Sequence, residues 1–174
     1  MCIRDSSKPI SINFPSAAFG LMNAKESVSD RELASLGYGY GLKVSPFQLT
    51  AAYSTFANNG IRKDFKLLMN DVVTSQRVIS ESSARHTLEA LQKVVKIGTG
   101  KKADIFGFTE GGKTGTVHRT VSGAGYADDL YRASFVGITP LSEDSLTIFV
   151  SIEDPGLNAY SGGMIAAPLF AEIA

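Results

Sequence analysis

The chain has 174 residues, 44% hydrophobic and 20% charged, which is the balance of an ordinary folded domain and excludes wholesale disorder. The 17 lysines and arginines offset 17 aspartates and glutamates, so no net charge draws the molecule towards nucleic acid or anionic lipid. One cysteine rules out an intrachain disulfide, two histidines beside it speak against a His/Cys zinc site, and no apolar run reaches the roughly 20 residues that span a bilayer.

Residues 1–7 are polar and charged, without the apolar stretch of a secretion signal, and read as a leader foreign to the domain. Residues 8–36 are mixed, with Pro9, Pro15 and Gly20, and predict loops with one short helix over 30–36. Gly37-Tyr38-Gly39-Tyr40-Gly41 forms a glycine-rich bend. Ser45 then caps a helix, Pro46 suits its first position, Phe47, Ala51, Ala52 and Phe56 recur at helical spacing, and Asn58-Asn59-Gly60 ends it. A second helix is predicted over 82–96, with Ala84, Leu88, Leu91 and Val95 as its buried stripe and Gly98-Thr99-Gly100 as its stop. From Ile105 the period changes to two, predicting strands over 109–119, 133–139 and 146–152 joined by short links. The fold class is therefore α+β, with a three-stranded antiparallel meander flanked by helices. After Gly162-Gly163, an apolar helical run from Met164 to Ile173 closes the chain at Ala174, which suggests truncation at both ends.

One glycine-rich motif admits two chemistries. Gly107-Phe108-Thr109-Glu110-Gly111-Gly112-Lys113-Thr114 fits the phosphate-loop pattern of nucleotide hydrolases, and the acids that end the run Leu146–Asp154 could hold magnesium. That loop must open a helix. The next residues, Gly115, Thr116, Val117, His118, Arg119, Thr120 and Val121, favour a strand, and only 60 residues follow Thr114. The other reading takes Lys113-Thr114-Gly115 as the Lys-Thr-Gly triad of penicillin-reactive serine acyltransferases. On a strand, a fixed ammonium with the hydroxyls of Thr114 and Thr116 suits a carboxylate, Gly115 leaves room for a ligand backbone, and the Thr116 N–H can aim at a developing oxyanion.

The surroundings favour the second reading. Residues 39–53 with Phe56-Ala57-Asn58-Asn59-Gly60, the link Gly98-Thr99-Gly100-Lys101-Lys102-Ala103, the triad with its flanks Gly111-Gly112 and Thr116, and Tyr160-Ser161-Gly162-Gly163 with Ala166-Ala167-Pro168-Leu169-Phe170 form four blocks in family order. Together they resemble penicillin-binding transpeptidases, in particular the monofunctional septal type that cross-links peptidoglycan in cell division. The resemblance implies a serine β-lactamase-like fold with a five-stranded antiparallel sheet, of which about three strands lie here. Residues 8–174 would be the C-terminal part of one transpeptidase domain. It further implies a two-step acyl transfer on D-Ala-D-Ala stem peptides, with β-lactams as competing ligands. Divisome membrane proteins would be partners of the full-length enzyme, and the location would be the extracytoplasmic face of the bacterial inner membrane.

The chain also departs from the family. No Ser-x-x-Lys spacing occurs in it, so the nucleophile and its base are absent from these residues. Ser11-Ile12-Asn13 matches the letters of the family's Ser-x-Asn motif but lies too near the Gly-Tyr-Gly block, and reads as coincidence. The site expected here is Lys113, Thr114, Gly115 and Thr116, for carboxylate recognition and half an oxyanion hole, with no metal, cofactor or nucleic acid. A non-catalytic penicillin sensor of the same fold is a further alternative. His118 reads as a cleft-edge residue, and His86 as a solvated one. Asp128-Asp129 and Glu153-Asp154 read as loop acids, Tyr38, Tyr40 and Tyr53 as packing residues, and Cys2 is assigned no role.

Overall fold

The computed structural model describes residues 18, 20–22, 28–37, 39, 41–121, 125–142, 144–156 and 158–174, with positions 22, 120, 121 and 125–129 described by backbone alone. The leader at 1–7, the Ser11-Ile12-Asn13 triplet and the tyrosines at 38 and 40 lie outside the described residues. In chain order the elements are β1 (Leu21–Met22), α1 (Asp30–Gly37), β2 (Leu42–Lys43), α2 (Pro46–Ala57), β3 (Ile61–Lys63), β4 (Ser75–Arg77) and α3 (Glu81–Lys96). A 3-10 turn (Lys101–Ala103) then leads to β5 (Gly111–Val121), β6 (Gly125–Thr139), β7 (Leu146–Glu153) and α4 (Ala166–Ile173).

Helix α2 starts where its capping residues require. The Ser45 hydroxyl accepts the Gln48 N–H at 3.2 Å, and Gln48 Oε1 accepts the Ser45 N–H at 2.9 Å, a reciprocal box that satisfies two otherwise orphaned donors. The same Gln48 oxygen accepts the Gly20 N–H at 2.9 Å, tying the β1 segment to this helix. Helix α3 is capped by Ser80 and buries Ala84, Leu91 and Val95 of the predicted stripe, while Leu88 is half-buried. Lys93 and Lys96 lie in its last turn, where the helix dipole favours cations.

The main sheet has the order β5-β6-β7, antiparallel throughout, as the meander predicted. Strand β6 is longer than expected, beginning at Gly125 instead of 133. Its first half is polar, but ladder pairing with β5, such as Val121↔Gly125, extends it where local propensity is silent. Two further ladders were not predicted, β1 with β2 and the short hairpin of β3 with β4. Strand β6 ends at a cis Thr139–Pro140 bond.

Register decides what each face of the sheet carries. Gly112 pairs with Gly137, Thr114 with Phe135 and Thr116 with Ala133, while Phe135 pairs with Val150. These residues share one face. Upon it Phe135, Val150, Val95, Ala103, Ala166, Ala167 and Phe170 form the buried core, with Ile148 and Ile152 against it. The Phe135 and Phe170 rings lie 5.0 Å apart at 56°. Gly112 and Gly137 make room for them, since a Cβ at 112 would lie 2.4 Å from the Phe135 ring and one at 137 would lie 2.5 Å from the Phe170 ring. The apolar exit of the chain thus has a partner, because α4 buries Ala166, Ala167 and Phe170 on the sheet.

Phe135 is fully buried at the centre of this core. Phe135→Ala is expected to cost about 3–5 kcal/mol through lost burial and the cavity left behind. Chemical denaturation with an unchanged m-value and a lowered midpoint would register it.

Candidate functional site

The site is built on β5, held by β6 on one side and crossed by the turn before α4. Lys113 is exposed, and its ammonium donates to the Thr114 carbonyl at 2.8 Å. Thr114 and Thr116 project to the opposite, core-bearing face by strand alternation. There the Thr114 hydroxyl lies 2.8 Å from the Thr99 hydroxyl, which comes from the link that follows α3. Thr116 Oγ1 accepts the Gly162 N–H at 3.1 Å, so its own proton remains available to a ligand. Gly115 pairs with Ser134 in the middle of the ladder. The four predicted residues are therefore contiguous on one strand, with the ammonium and the two hydroxyls on different faces of it.

Gly162 reaches Thr116 because it has no side chain. A Cβ there would stand 2.2 Å from the Ser134 carbonyl oxygen and 2.5 Å from that of Gly115. The turn lies flat on the β5–β6 ladder, and its Tyr160 ring stacks on Tyr131 at 4.5 Å and 28°. Tyr131 in turn meets His118 at 4.5 Å. His118 is exposed at the end of the site strand, as expected of a cleft-edge residue, and forms an aromatic ladder with the two tyrosines. His86 is exposed on α3. Glu153 and Asp154 pair with arginines: Asp154 with Arg119, and Glu153 with Arg132 and, at 3.7 Å, with Arg119. Such exposed pairs contribute little to stability. The side chains of Asp128 and Asp129 lie outside the described set. Among the described residues no cluster of His, Cys, Asp or Glu has the makings of a metal site.

Sequence reasoning missed Thr99, Tyr131 and Glu110. The sequence places Thr99 in a helix stop and in the glycine-rich link that carries part of the family resemblance but gives it no partner, and nothing in a strand pattern marks Tyr131 as the partner of Tyr160. Glu110, one residue before β5, is fully buried. Its Oε1 lies 3.5 Å from the Lys96 ammonium, and its Oε2 has no hydrogen-bond partner. Lys96 bonds more closely to Asp104, at 2.5 Å. Burial first, and then the neighbouring Asp104 carboxylate, push the Glu110 carboxyl above the usual glutamate range. The bond from Lys96, followed by that with Glu110, holds Asp104 below the usual aspartate range.

The nucleotide-hydrolase alternative does not survive. Gly111–Val121 is one continuous strand, so no helix N-terminus follows Lys113-Thr114 to hold a phosphate. A continuous strand through Lys113, Thr114 and Thr116, with no further strand on its outer edge among the described residues, is instead the conformation that the Lys-Thr-Gly reading expects. The chain belongs to the penicillin-binding protein transpeptidase domain family, whose model matches residues 5–174. It is 37% identical over 167 residues to "Probable peptidoglycan D,D-transpeptidase PbpC" of Pseudomonas aeruginosa, covering 95% of this chain and 29% of that protein. To the peptidoglycan D,D-transpeptidase FtsI of Escherichia coli it is 35% identical over 156 residues, 88% of this chain and 26% of FtsI. The apo transpeptidase domain of penicillin-binding protein 3 from Burkholderia pseudomallei superposes with a TM-score of 0.81 at 37% identity, over 93% of this chain and 50% of that one. The chain thus spans less than a third of these two curated relatives and about half of that solved domain.

Gly162→Ala is expected to lift the turn off β5 and break the bond to Thr116. The measurable result is faster hydrogen exchange at the amide of position 162, with a stability loss of about 1–3 kcal/mol as for other overpacked sites.

Proposed function

We propose that this chain supplies the carboxylate-binding strand of a peptidoglycan D,D-transpeptidase of the septal, cell-division type. In this reading the serine nucleophile and its lysine base come from sequence outside these 174 residues, which hold no Ser-x-x-Lys. The observation that carries the reading is the extended Lys113-Thr114-Gly115-Thr116 segment, with a glycine turn donating to the Thr116 hydroxyl. The names of the relatives in Pseudomonas and Escherichia support it.

The roles follow from charge and geometry. The stem peptide ends in a D-Ala carboxylate, and β-lactams carry an anion at the equivalent place. The Thr116 hydroxyl, already an acceptor for Gly162, provides a directed donor to that anion, and Lys113, on the other face of the strand, contributes its positive charge from the strand edge where it donates to the Thr114 carbonyl. Thr114 holds the strand to the link through Thr99 and leaves its carbonyl to the Lys113 ammonium. Backbone groups two residues apart share an edge of a strand, so the Thr116 N–H lies on the same edge as that carbonyl, where an oxyanion can receive it. Gly115 between them keeps the edge open to a peptide backbone added in extended form. The nucleophile attacks the penultimate D-Ala carbonyl, D-Ala leaves with a proton from the enzyme, and the amine of a second stem takes the acyl group. Such a reaction belongs outside the cytoplasmic membrane, with the catalytic domain held there among division proteins. No helix among the described residues is long and apolar enough to cross a membrane, so an anchor would also come from elsewhere.

In a polypeptide that also carries the nucleophile, Lys113→Ala and Thr116→Val are each expected to slow acylation by a fluorescent penicillin about 10–100-fold. That is the worth of one hydrogen bond to a charged group. Unchanged labelling in both variants refutes the assigned roles. The 174-residue chain by itself is expected to take no covalent label, and a stable adduct on it would show that a nucleophile lies within these residues.

A further inference from the structure

Glu110 has no part in the acyl transfer described above, yet it is fully buried two residues before the glycine that precedes Lys113. Two elements bring charged groups to it: the last turn of α3 brings Lys96, and the link after the 3-10 turn brings Asp104. Two carboxylates therefore compete for one ammonium, and Asp104 holds it more closely, at 2.5 Å against 3.5 Å. An ionised Glu110 would keep Oε2 buried without a donor, which is costly. A neutral acid has no such difficulty, since its O–H can be donated to the Asp104 carboxylate beside it.

The link that carries Asp104 also carries Thr99. It runs from Gly98 to Thr109, with the 3-10 turn at its middle and Ile105 packed against the core. Ala103 sits in the core, the Gly100 N–H donates to Val94 O at 3.0 Å, and the Leu141 N–H donates to Thr109 O at 2.8 Å. At its near end the Thr99 hydroxyl meets that of Thr114 on the site strand at 2.8 Å. Between Thr99 and Asp104 lies only the bonded 3-10 turn, in which the Ala103 N–H donates to Gly100 O at 2.9 Å and the Asp104 N–H to Lys101 O at 3.3 Å.

We propose that Glu110 is a positioning residue whose proton closes a Lys96–Asp104–Glu110 latch, and that losing this proton loosens the link and draws Thr99 away from Thr114. The latch makes the geometry of the site strand depend on pH, through a group that touches no substrate. The sign follows from the raised Glu110 value. The contribution of this group to stability is fully present below its ordinary value of 4.5, and it falls as pH rises from there through the raised value. Asp104, held low, contributes in the opposite sense and loses its share as pH falls through its own lowered value.

The proposal rests on the reading of Thr114 as part of the site, but its test uses neither penicillin nor peptide, so the two can fail separately. The chain labelled with carbon-13 at glutamate carboxyls and nitrogen-15 at amides is titrated by NMR, and Glu110 is assigned by the signal missing from E110Q. The expected result is a Glu110 midpoint above 4.5, with the Thr99 and Thr114 amide shifts moving at that same midpoint. In E110Q, a neutral isostere, those amide movements are absent. A Glu110 midpoint at or below 4.5, or Thr99 and Thr114 amides that stay still while Glu110 titrates, overturns the latch. If E110Q fails to fold, D104N decides the matter. It removes the neighbouring anion and frees Lys96 for Glu110, so the Glu110 midpoint must fall, and an unchanged midpoint is equally fatal.

Discussion

Side chains along an extended strand alternate between two faces, and the register of β5 with β6 assigns those faces. Thr114 opposite Phe135, and Phe135 opposite Val150, commit one face to the core and place the hydroxyls of Thr114 and Thr116 on it. Lys113 is thereby sent to the other face, where it stays in solvent. A slip of β5 by one residue against β6 would turn the ammonium onto the core face beside Phe135 and Phe170, which a charged group does not tolerate. The hydrophobic packing of the sheet and the placing of the polar site are thus one constraint: the burial that holds Phe135 also orients Thr116.

The site strand is then steadied from outside the sheet. The turn carrying Gly162 lies flat on the ladder and donates to Thr116, and the stacked rings of Tyr160 and Tyr131 hold that turn in place. From the other direction the link after α3 supplies Thr99. None of these contacts is strong singly, but each uses a backbone or side-chain group with few alternatives nearby. A donor whose acceptor side is already occupied has its proton oriented before a ligand arrives, which is how a site on a strand edge gains directionality without a deep pocket. The buried carboxyl of Glu110, at the start of the same strand, adds a charge-sensitive support to an arrangement that is otherwise fixed by packing.

Much of the fold was legible because local signals agreed with one another. Helix α2 announced itself through Ser45, Pro46 and the apolar spacing that follows, and α3 through a stripe of which Ala84, Leu91 and Val95 are buried and Leu88 half-buried. The three strands of the main sheet were found within a few residues at most ends. The early part of β6 was not, because its polar residues carry no strand preference and are extended only by pairing with β5. The β3–β4 hairpin was missed for a related reason: its strands are three residues each, too short for any period to show. At the site, the strand residues could be named from a short motif and its flanks. Their partners could not, since Thr99 lies 15 positions from Thr114 and Gly162 lies 46 from Thr116.

By itself the order of residues determined the helices, the class of fold and the strand on which the chemistry sits, because capping, glycine placement and apolar period act over a few positions at a time. Only the folded molecule decided which hydroxyl meets which donor, that the ammonium and hydroxyls part to opposite faces, and that a glutamate beside the site loses its water. Those outcomes depend on distances between segments far apart in the chain, and such distances are set by packing against Phe135 and Phe170 and by no local preference.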